Sequence, residues 1–156
     1  MRNEFKIVLL MCTMLLMLAC ANPAQKYLEQ GISYRDQEKW DEAIAAYTKA
    51  IEIDSKFANA YNNRGYAYFK KENNEAAIAD FTKAIELEPK QTVPYKNRAW
   101  IYVTTAKYDK AKADLQKILE LSKDSSEIEM VKGLLEKVKQ REEETQPIRE
   151  IQIPQN

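Results

Sequence analysis

Histidine is absent from this chain, and glycine, proline and cysteine are scarce. Its 156 residues include 3 Gly, 5 Pro and 2 Cys. Without histidine there is no imidazole to act as a general base, and most zinc sites are excluded as well. The shortage of Gly and Pro, with 31% charged residues, favours a mostly helical protein. The length fits one domain, since domains run to about 100–200 residues.

Net charge is also lacking, because 24 Lys and Arg balance 24 Asp and Glu. Electrostatic binding to nucleic acid needs a basic patch or stripe, whereas here the two signs alternate. No phosphate-binding glycine loop, Cys/His metal spacing or nucleophile elbow occurs. Acidic pairs such as Asp109/Asp114 could act as acid and base, but their placement predicts solvated helix faces. We therefore expect no catalytic residue, cofactor, metal or nucleic-acid partner.

The first nineteen residues have the pattern of a targeting segment. Arg2 and Lys6 precede an uncharged, largely apolar run from Ile7 to Ala19. As a helix rising ~1.5 Å per residue, this run reaches about 20 Å, short of the ~30 Å hydrocarbon core of a bilayer. It therefore indicates a signal peptide over residues 1–19. An ordinary secretory signal and an uncleaved N-terminal anchor are the alternatives.

The end of the run, Leu16-Met17-Leu18-Ala19-Cys20, resembles a bacterial lipoprotein signal. The resemblance implies cleavage before Cys20 and lipid on its thiol, with residues 20–23 as the lipidated cysteine and a short tether. Stable anchoring needs more than one acyl chain, and the lipoprotein family carries three. The expected location is the bacterial cell envelope. Ala21 resembles the pattern of lipoproteins sorted to the outer membrane, facing the periplasm where the organism has two membranes.

From residue 24 the sequence repeats itself with a period of 34. The run at 48–52, TKAIE, returns unchanged at 82–86. Such a period predicts stacked supersecondary units, none of which buries its apolar face alone. Two apolar stripes with helical spacing recur in each unit, at 25–37 and 40–52 in the first. Matching positions hold Gly31 and Gly65; Tyr34, Tyr68 and Tyr102; and Ala43, Ala77 and Ala111.

The period and these residue types resemble the tetratricopeptide repeat (TPR) family. The resemblance implies an all-α, right-handed solenoid of three helix pairs at 24–57, 58–91 and 92–125. Residues 126–145 carry one more apolar stripe with a polar back, which predicts a capping helix, and Ser125 and Ser126 are its candidate N-caps. A coiled-coil helix is the alternative for this segment. The tail, 146–156, is expected to be extended or disordered.

Gly31 and Gly65 fall in the middle of predicted helices, where glycine costs ~1 kcal/mol relative to alanine. We expect the second helix of each pair to approach closely there, with the small Ala43 or Ala77 opposite the glycine. The third unit departs from the pattern, so looser packing is expected around it. The departures are Ala99, Lys112 and Ile118.

A solenoid of this kind offers a concave surface lined by the first helix of each pair. Asn side chains both donate to and accept from a peptide backbone, and Tyr or Trp adds contact area at low entropic cost. The alternative is that Tyr66 and Trp100 only pack against neighbouring helices. The predicted partner-binding residues are Asn59, Asn62, Asn63, Tyr66, Lys96, Asn97 and Trp100.

The sequence therefore predicts a non-enzymatic, membrane-anchored TPR adaptor that binds a protein or peptide partner, for assembly of an envelope machine. The chaperone-binding branch of the family clamps a C-terminal carboxylate with Lys and Asn of the first repeat. Leu28 and Ile32 hold those places here, so that clamp is not expected. The alternatives are a structural lipoprotein that self-associates as a homodimer and a regulator of a cell-wall enzyme.

Overall fold

The structure, a computed structural model, describes residues 22–150. The predicted signal peptide, the proposed lipid site at Cys20 and residues 151–156 of the tail lie outside this range. Within it the chain forms seven helices and each predicted helix pair is found. The helices are α1 Pro23–Asp36, α2 Trp40–Ile53, α3 Ala58–Lys70, α4 Asn74–Leu87, α5 Thr92–Thr104, α6 Tyr108–Leu121 and α7 Ser125–Glu150.

Each helix pair turns through one non-glycine residue in the left-handed region. The φ angles are 56° at Glu38, 61° at Glu72 and 54° at Ala106. The amide one residue later bonds back to the carbonyl of the repeated tyrosine five residues before it, as in Lys39 to Tyr34 at 2.9 Å. This pairing is the Schellman type of helix end, which satisfies carbonyls left over by the last turn. The repeat thus fixes its turn without glycine.

The stack of pairs is curved, and the first helix of each pair lies on the inside. Consecutive helices pack along the whole described chain, and α1 also contacts α3, as α3 contacts α5. Over residues 22–150, the intervening helices α2, α4 and α6 make no comparable contact with one another. The predicted all-α solenoid is confirmed, and α1, α3 and α5 form its concave wall.

The second helix approaches each glycine that was predicted to be helical, and the group nearest the glycine is an aromatic ring instead of the predicted alanine. Tyr47 lies over Gly31, and a Cβ built there would be 2.9 Å from its Cζ. Phe81 lies over Gly65, with its Cε1 2.9 Å from such a Cβ. The sequence analysis did not predict these rings, which fill the space nearest both glycines. At Gly65 the predicted Ala77 is also close, with its carbonyl oxygen 3.2 Å from such a Cβ.

The third unit packs less closely than the first two, as expected, but the residues that depart from the pattern are buried or paired. Ala99 and Ile118 are fully buried in a core cluster that includes Val131 of α7. Lys112, which replaces an apolar residue, places its Nζ 2.7 Å from Oε2 of Glu142 in α7. These departures fit the unit to α7 instead of to a fourth repeat.

The helix α7 covers the last repeat with an apolar face and a polar back, as expected of a cap. Val131 and Val138 are each 1% exposed, while Glu136 and Gln140 on the opposite side are exposed. The cap residue is Asp124, not Ser125 or Ser126, because its Oδ1 accepts a hydrogen bond from the Ser126 amide at 2.8 Å.

This helix is longer than predicted. It continues to Glu150, so residues 146–150 are helical and the expectation of an extended or disordered tail was wrong for them. Across residues 22–150, no helix combines the length and the apolar character that crossing a membrane requires.

Candidate partner-binding groove

Six of the seven predicted partner-binding residues line two adjoining cavities on the concave side. The polar cavity, of about 310 Å³, is lined by Arg35, Asn62, Asn63, Tyr66 and Asn97. The apolar cavity, of about 280 Å³, is lined by Tyr66, Phe69, Phe81, Lys96, Asn97, Trp100 and Leu134. Asn59, the seventh, is exposed and lines neither. Its backbone carbonyl accepts a hydrogen bond from Nδ2 of Asn63 at 2.8 Å.

Hydrogen bonds between side chains join the three concave helices across the polar cavity. Arg35 of α1 donates to Oδ1 of Asn63 at 3.2 Å. Asn97 of α5 donates to Oδ1 of Asn62 at 3.2 Å. Among the described residues, Nδ2 of Asn62 and Oδ1 of Asn97 make no further hydrogen bond. One donor and one acceptor are therefore available to the backbone of a bound segment.

The apolar cavity presents an aromatic side chain to solvent. Trp100 is 51% exposed, whereas Tyr66 is half-buried and packs edge-to-face on Trp40 with ring centres 6.2 Å apart. The alternative was that Tyr66 and Trp100 only pack against neighbouring helices. Tyr66 does so in part, whereas about half of Trp100 remains available to a partner. An exposed Trp at the centre of a groove is a typical anchor for a partner.

Two cationic side chains, Arg35 and Lys96, line the cavities, and each lies near a carboxylate. Nη2 of Arg35 lies 2.8 Å from Oδ1 of Asp36. Nζ of Lys96 lies 3.7 Å from Oε1 of Glu127 in α7. Within residues 22–150, no group of three or more acidic or thiol side chains is arranged to hold a metal ion.

One wall of the apolar cavity comes from α7, which was predicted only as a cap. Leu134 of α7 faces Trp100 there. Leu134 and Leu135 fall at the i+3 and i+4 positions, counted from Val131, of a single apolar stripe. That stripe predicted one apolar contact for α7, so nothing in the sequence signalled this second one.

The carboxylates predicted to be solvated include one that is buried. Asp114 is 5% exposed and accepts two hydrogen bonds from Arg98, at 2.9 and 2.7 Å. Asp80 is held in the same way by Arg64, at 2.7 and 2.8 Å. The expectation of a solvated face was wrong for Asp114, because its partner lies sixteen residues earlier on the neighbouring helix.

Each of these arginines also reaches the preceding helix pair. Arg64 donates to Oγ1 of Thr48 at 3.1 Å, and Arg98 donates to Oγ1 of Thr82 at 2.7 Å. Burial alone would lower the pKa of Arg98, but the hydrogen bonds and charge of Asp114 outweigh it and raise that pKa. Each arginine thus joins an aspartate of its own helix pair to a threonine of the preceding pair.

A curved stack of helix pairs with amides and an exposed aromatic on its concave face defines the class of solenoid repeat proteins that bind other polypeptides. Models of the tetratricopeptide repeat match residues 58–91 and 95–125, and a TPR repeat model matches residues 31–72. The chain belongs to the tetratricopeptide repeat family.

Several solved TPR domains are similar to it. The first TPR domain of Spaghetti (RPAP3), bound to the HSP90 peptide SRMEEVD, is 31% identical, with a TM-score of 0.70 over 76% of this chain and 91% of that one. The first TPR domain of human RPAP3 is 32% identical, with a TM-score of 0.68 over 75% and 90%. The TPR2B domain of yeast Sti1 in its pHsp70 complex is 30% identical, with a TM-score of 0.69 over 76% and 97%. No curated protein matches the sequence significantly.

Proposed function

We propose that this protein is an adaptor that binds an extended segment of a protein partner in its concave groove, while lipid on Cys20 holds it at the surface of a bacterial envelope membrane. The observation that carries the proposal is the meeting of six residues in two adjoining cavities around Trp100, which is 51% exposed. Such an adaptor would serve the assembly of an envelope machine.

Two of the similar domains were solved with chaperone-derived partners, which supports a polypeptide ligand for this groove. The ligand chemistry should differ, because Leu28 is 5% exposed and Ile32 packs in the same core cluster. These are the places where the chaperone-binding branch holds its carboxylate clamp. The amides of Asn62 and Asn97 favour contacts with a backbone inside the segment instead of with a C-terminus.

The sequence around Cys20 and the position at which the fold begins support the anchor. α1 starts at Pro23, and the side chain of Asn22 caps it by accepting a hydrogen bond from the Ala24 amide at 3.0 Å. Only Ala21 and Asn22 separate Cys20 from the helix, so lipid on Cys20 would hold the solenoid close to the membrane. Confining the adaptor and its partner to one thin layer raises their effective concentration without tight contacts.

The groove is tested by crosslinking in intact cells followed by purification of the full-length protein. We expect Asn97→Ala with Trp100→Ala to lose the partner that co-purifies with the wild type. Helical circular dichroism should be unchanged, because both side chains lie on the groove surface. The matched control is Lys83→Ala with Gln116→Ala on the outer helices. Retention of every partner by the groove variant would contradict the proposal.

The anchor is tested separately, and the chain offers its own control. Cys20→Ala should abolish incorporation of labelled fatty acid and release the protein from the membrane fraction, whereas Cys12→Ala should change neither. If Cys20→Ala still carries label, or if Cys12→Ala loses it, the lipid site is wrong. The groove result stands independently of this outcome.

A further inference from the structure

A cleft of about 710 Å³ lies between α5 and α7. Its floor is formed by Trp100 and Val103 of α5 and by Leu134 and Val138 of α7. Trp100 and Leu134 line the apolar cavity of the groove as well. The cleft is therefore continuous with the groove, and a segment that crosses the concave helices can extend into it.

The rim of the cleft carries two positive charges, on Lys137 and Arg141. Lys137 and Arg141 are exposed, four residues apart on one face of α7. Among the described side chains, neither has a carboxylate within 4.0 Å, whereas Lys112 on the neighbouring helix pairs with Glu142 at 2.7 Å. Of the described carboxylates, Glu144 alone lines this cleft. Such a rim favours negatively charged flanks on whatever enters.

From this arrangement we propose that the cleft between α5 and α7 accepts two bulky apolar side chains of the partner segment, flanked by Asp or Glu that face Lys137 and Arg141. This rests on the proposed function, because it assigns a chemistry to the same partner. The apolar floor would supply affinity by burial, and the rim would supply selectivity. The partner is thus an acidic polypeptide segment with neighbouring large apolar residues.

The test uses full-length protein in phosphatidylcholine nanodiscs, with Trp40→Phe so that Trp100 is the only tryptophan. Three twelve-residue peptides in a Ser/Gly host are titrated while Trp100 fluorescence is recorded. The first contains two Leu and two Asp, the second two Leu and two Lys, and the third two Ser and two Asp. We expect the first to shift Trp100 emission to the blue, the second to bind about tenfold more weakly, and the third not to bind.

Two double variants separate the rim from the general charge of α7. Lys137→Gln with Arg141→Gln should abolish the difference between the Asp and Lys peptides. Lys132→Gln with Lys139→Gln, on the opposite side of the same helix, should preserve it. The proposal is overturned if no peptide binds, if all three bind equally, or if the difference survives the first double variant.

Two further results would name another occupant and overturn the proposal. A change in Trp100 emission on Ile151→Ser with Ile153→Ser, without peptide, would mean that the chain's own end fills the cleft. A dimer in analytical ultracentrifugation that Trp100→Ala dissociates would mean that a second copy does. If the peptides fail while crosslinked capture still depends on Asn97 and Trp100, this inference falls and the proposed function stands.

Discussion

The ring of Tyr47 lies against the backbone of Gly31, sixteen residues earlier in the chain. The next unit repeats the arrangement with Phe81 and Gly65. In the third unit the corresponding positions hold Leu115 and Ala99, both fully buried. A planar ring takes the space of a missing Cβ, whereas a smaller leucine leaves room for one.

Replacing Gly31 by alanine should destabilise the protein. The added Cβ meets the ring of Tyr47, and overpacking of this kind costs about 1–3 kcal/mol, against a gain of up to about 1 kcal/mol in helix propensity. Urea unfolding should therefore show a lower midpoint. Tyr47→Leu added to Gly31→Ala should recover part of the loss, since it recreates the pairing of the third unit.

The matched control is Gly133→Ala in α7. A Cβ there meets nothing within 4 Å, so only helix propensity acts and stability should rise by up to ~1 kcal/mol. Equal losses at both glycines would show that the ring contact is irrelevant.

Tyr47→Phe should be neutral or stabilising. Its hydroxyl is buried and has no hydrogen-bond partner among the described residues, and an unsatisfied buried polar group costs about 1–3 kcal/mol. The second unit already carries Phe81 at the corresponding position. Thermal melting at neutral pH would show the gain, and a clear loss of stability would reveal a partner for the hydroxyl.

The same residue should make stability fall at alkaline pH. Burial raises the pKa of Tyr47 from 10.0 to about 12, so the unfolded chain releases this proton at lower pH than the folded one. The free energy of unfolding is therefore unaffected by this proton below pH 10. It falls as the pH rises from 10 towards 12, because the unfolded chain ionises Tyr47 first. Because lysines titrate in the same range, the readout is the wild type minus Tyr47→Phe. A difference that stays flat from pH 9 to 12 would contradict the assignment.

Asp114→Ala should be strongly destabilising, whereas Asp109→Ala should not. Removing Asp114 leaves the guanidinium of Arg98 without its buried partner, and breaking such a pair costs about 3–5 kcal/mol. The side chain of Asp109 is 91% exposed, and surface changes usually stay within ~0.5 kcal/mol. Denaturant unfolding measures both. Equal losses of stability in the two variants would show that Asp114 is solvated, as the sequence predicted.

Val131→Asp should detach α7 from the last repeat. Val131 is 1% exposed in the cluster formed with α5 and α6, and an unpaired charge cannot be buried there cheaply. Hydrogen exchange should speed up in α6 and α7 first. Lys132→Asp, one residue further along and exposed, is the control and should leave the exchange unchanged.

The repeats made the fold predictable, and the cap limited the prediction of the site. A period of 34 fixed which positions face inward, so six groove residues could be named before their contacts were known. The helix α7 does not keep that register. Gly133 corresponds to Ala99 by spacing, but Gly133 is exposed, while Val131 is buried. Hence the contact between Trp100 and Leu134 could not be read from the period.

Asp114 shows a second limit, because local amphipathicity says nothing about a partner on another helix. The acidic side chain looked like surface within its own helix. In the fold Asp114 is buried, because Arg98 on the neighbouring helix donates hydrogen bonds of 2.9 and 2.7 Å to its carboxylate. Only comparison of the two repeats, each with Arg and Asp sixteen residues apart, carried that signal.

The bridges of Arg64 and Arg98 also predict which helix pair unfolds first under tension. The first pair has Gln30 and Ala46 where the second has Arg64 and Asp80, so these two positions form no ionic bridge between α1 and α2. Under tension between the proposed lipid and a bound partner, the first pair should yield before the others. Single-molecule pulling would register an initial step of about 110 Å, the contour of 34 extended residues. Unfolding of the helix pair nearest the membrane would thus lengthen the connection to the lipid, while the other helix pairs stay folded around the bound partner.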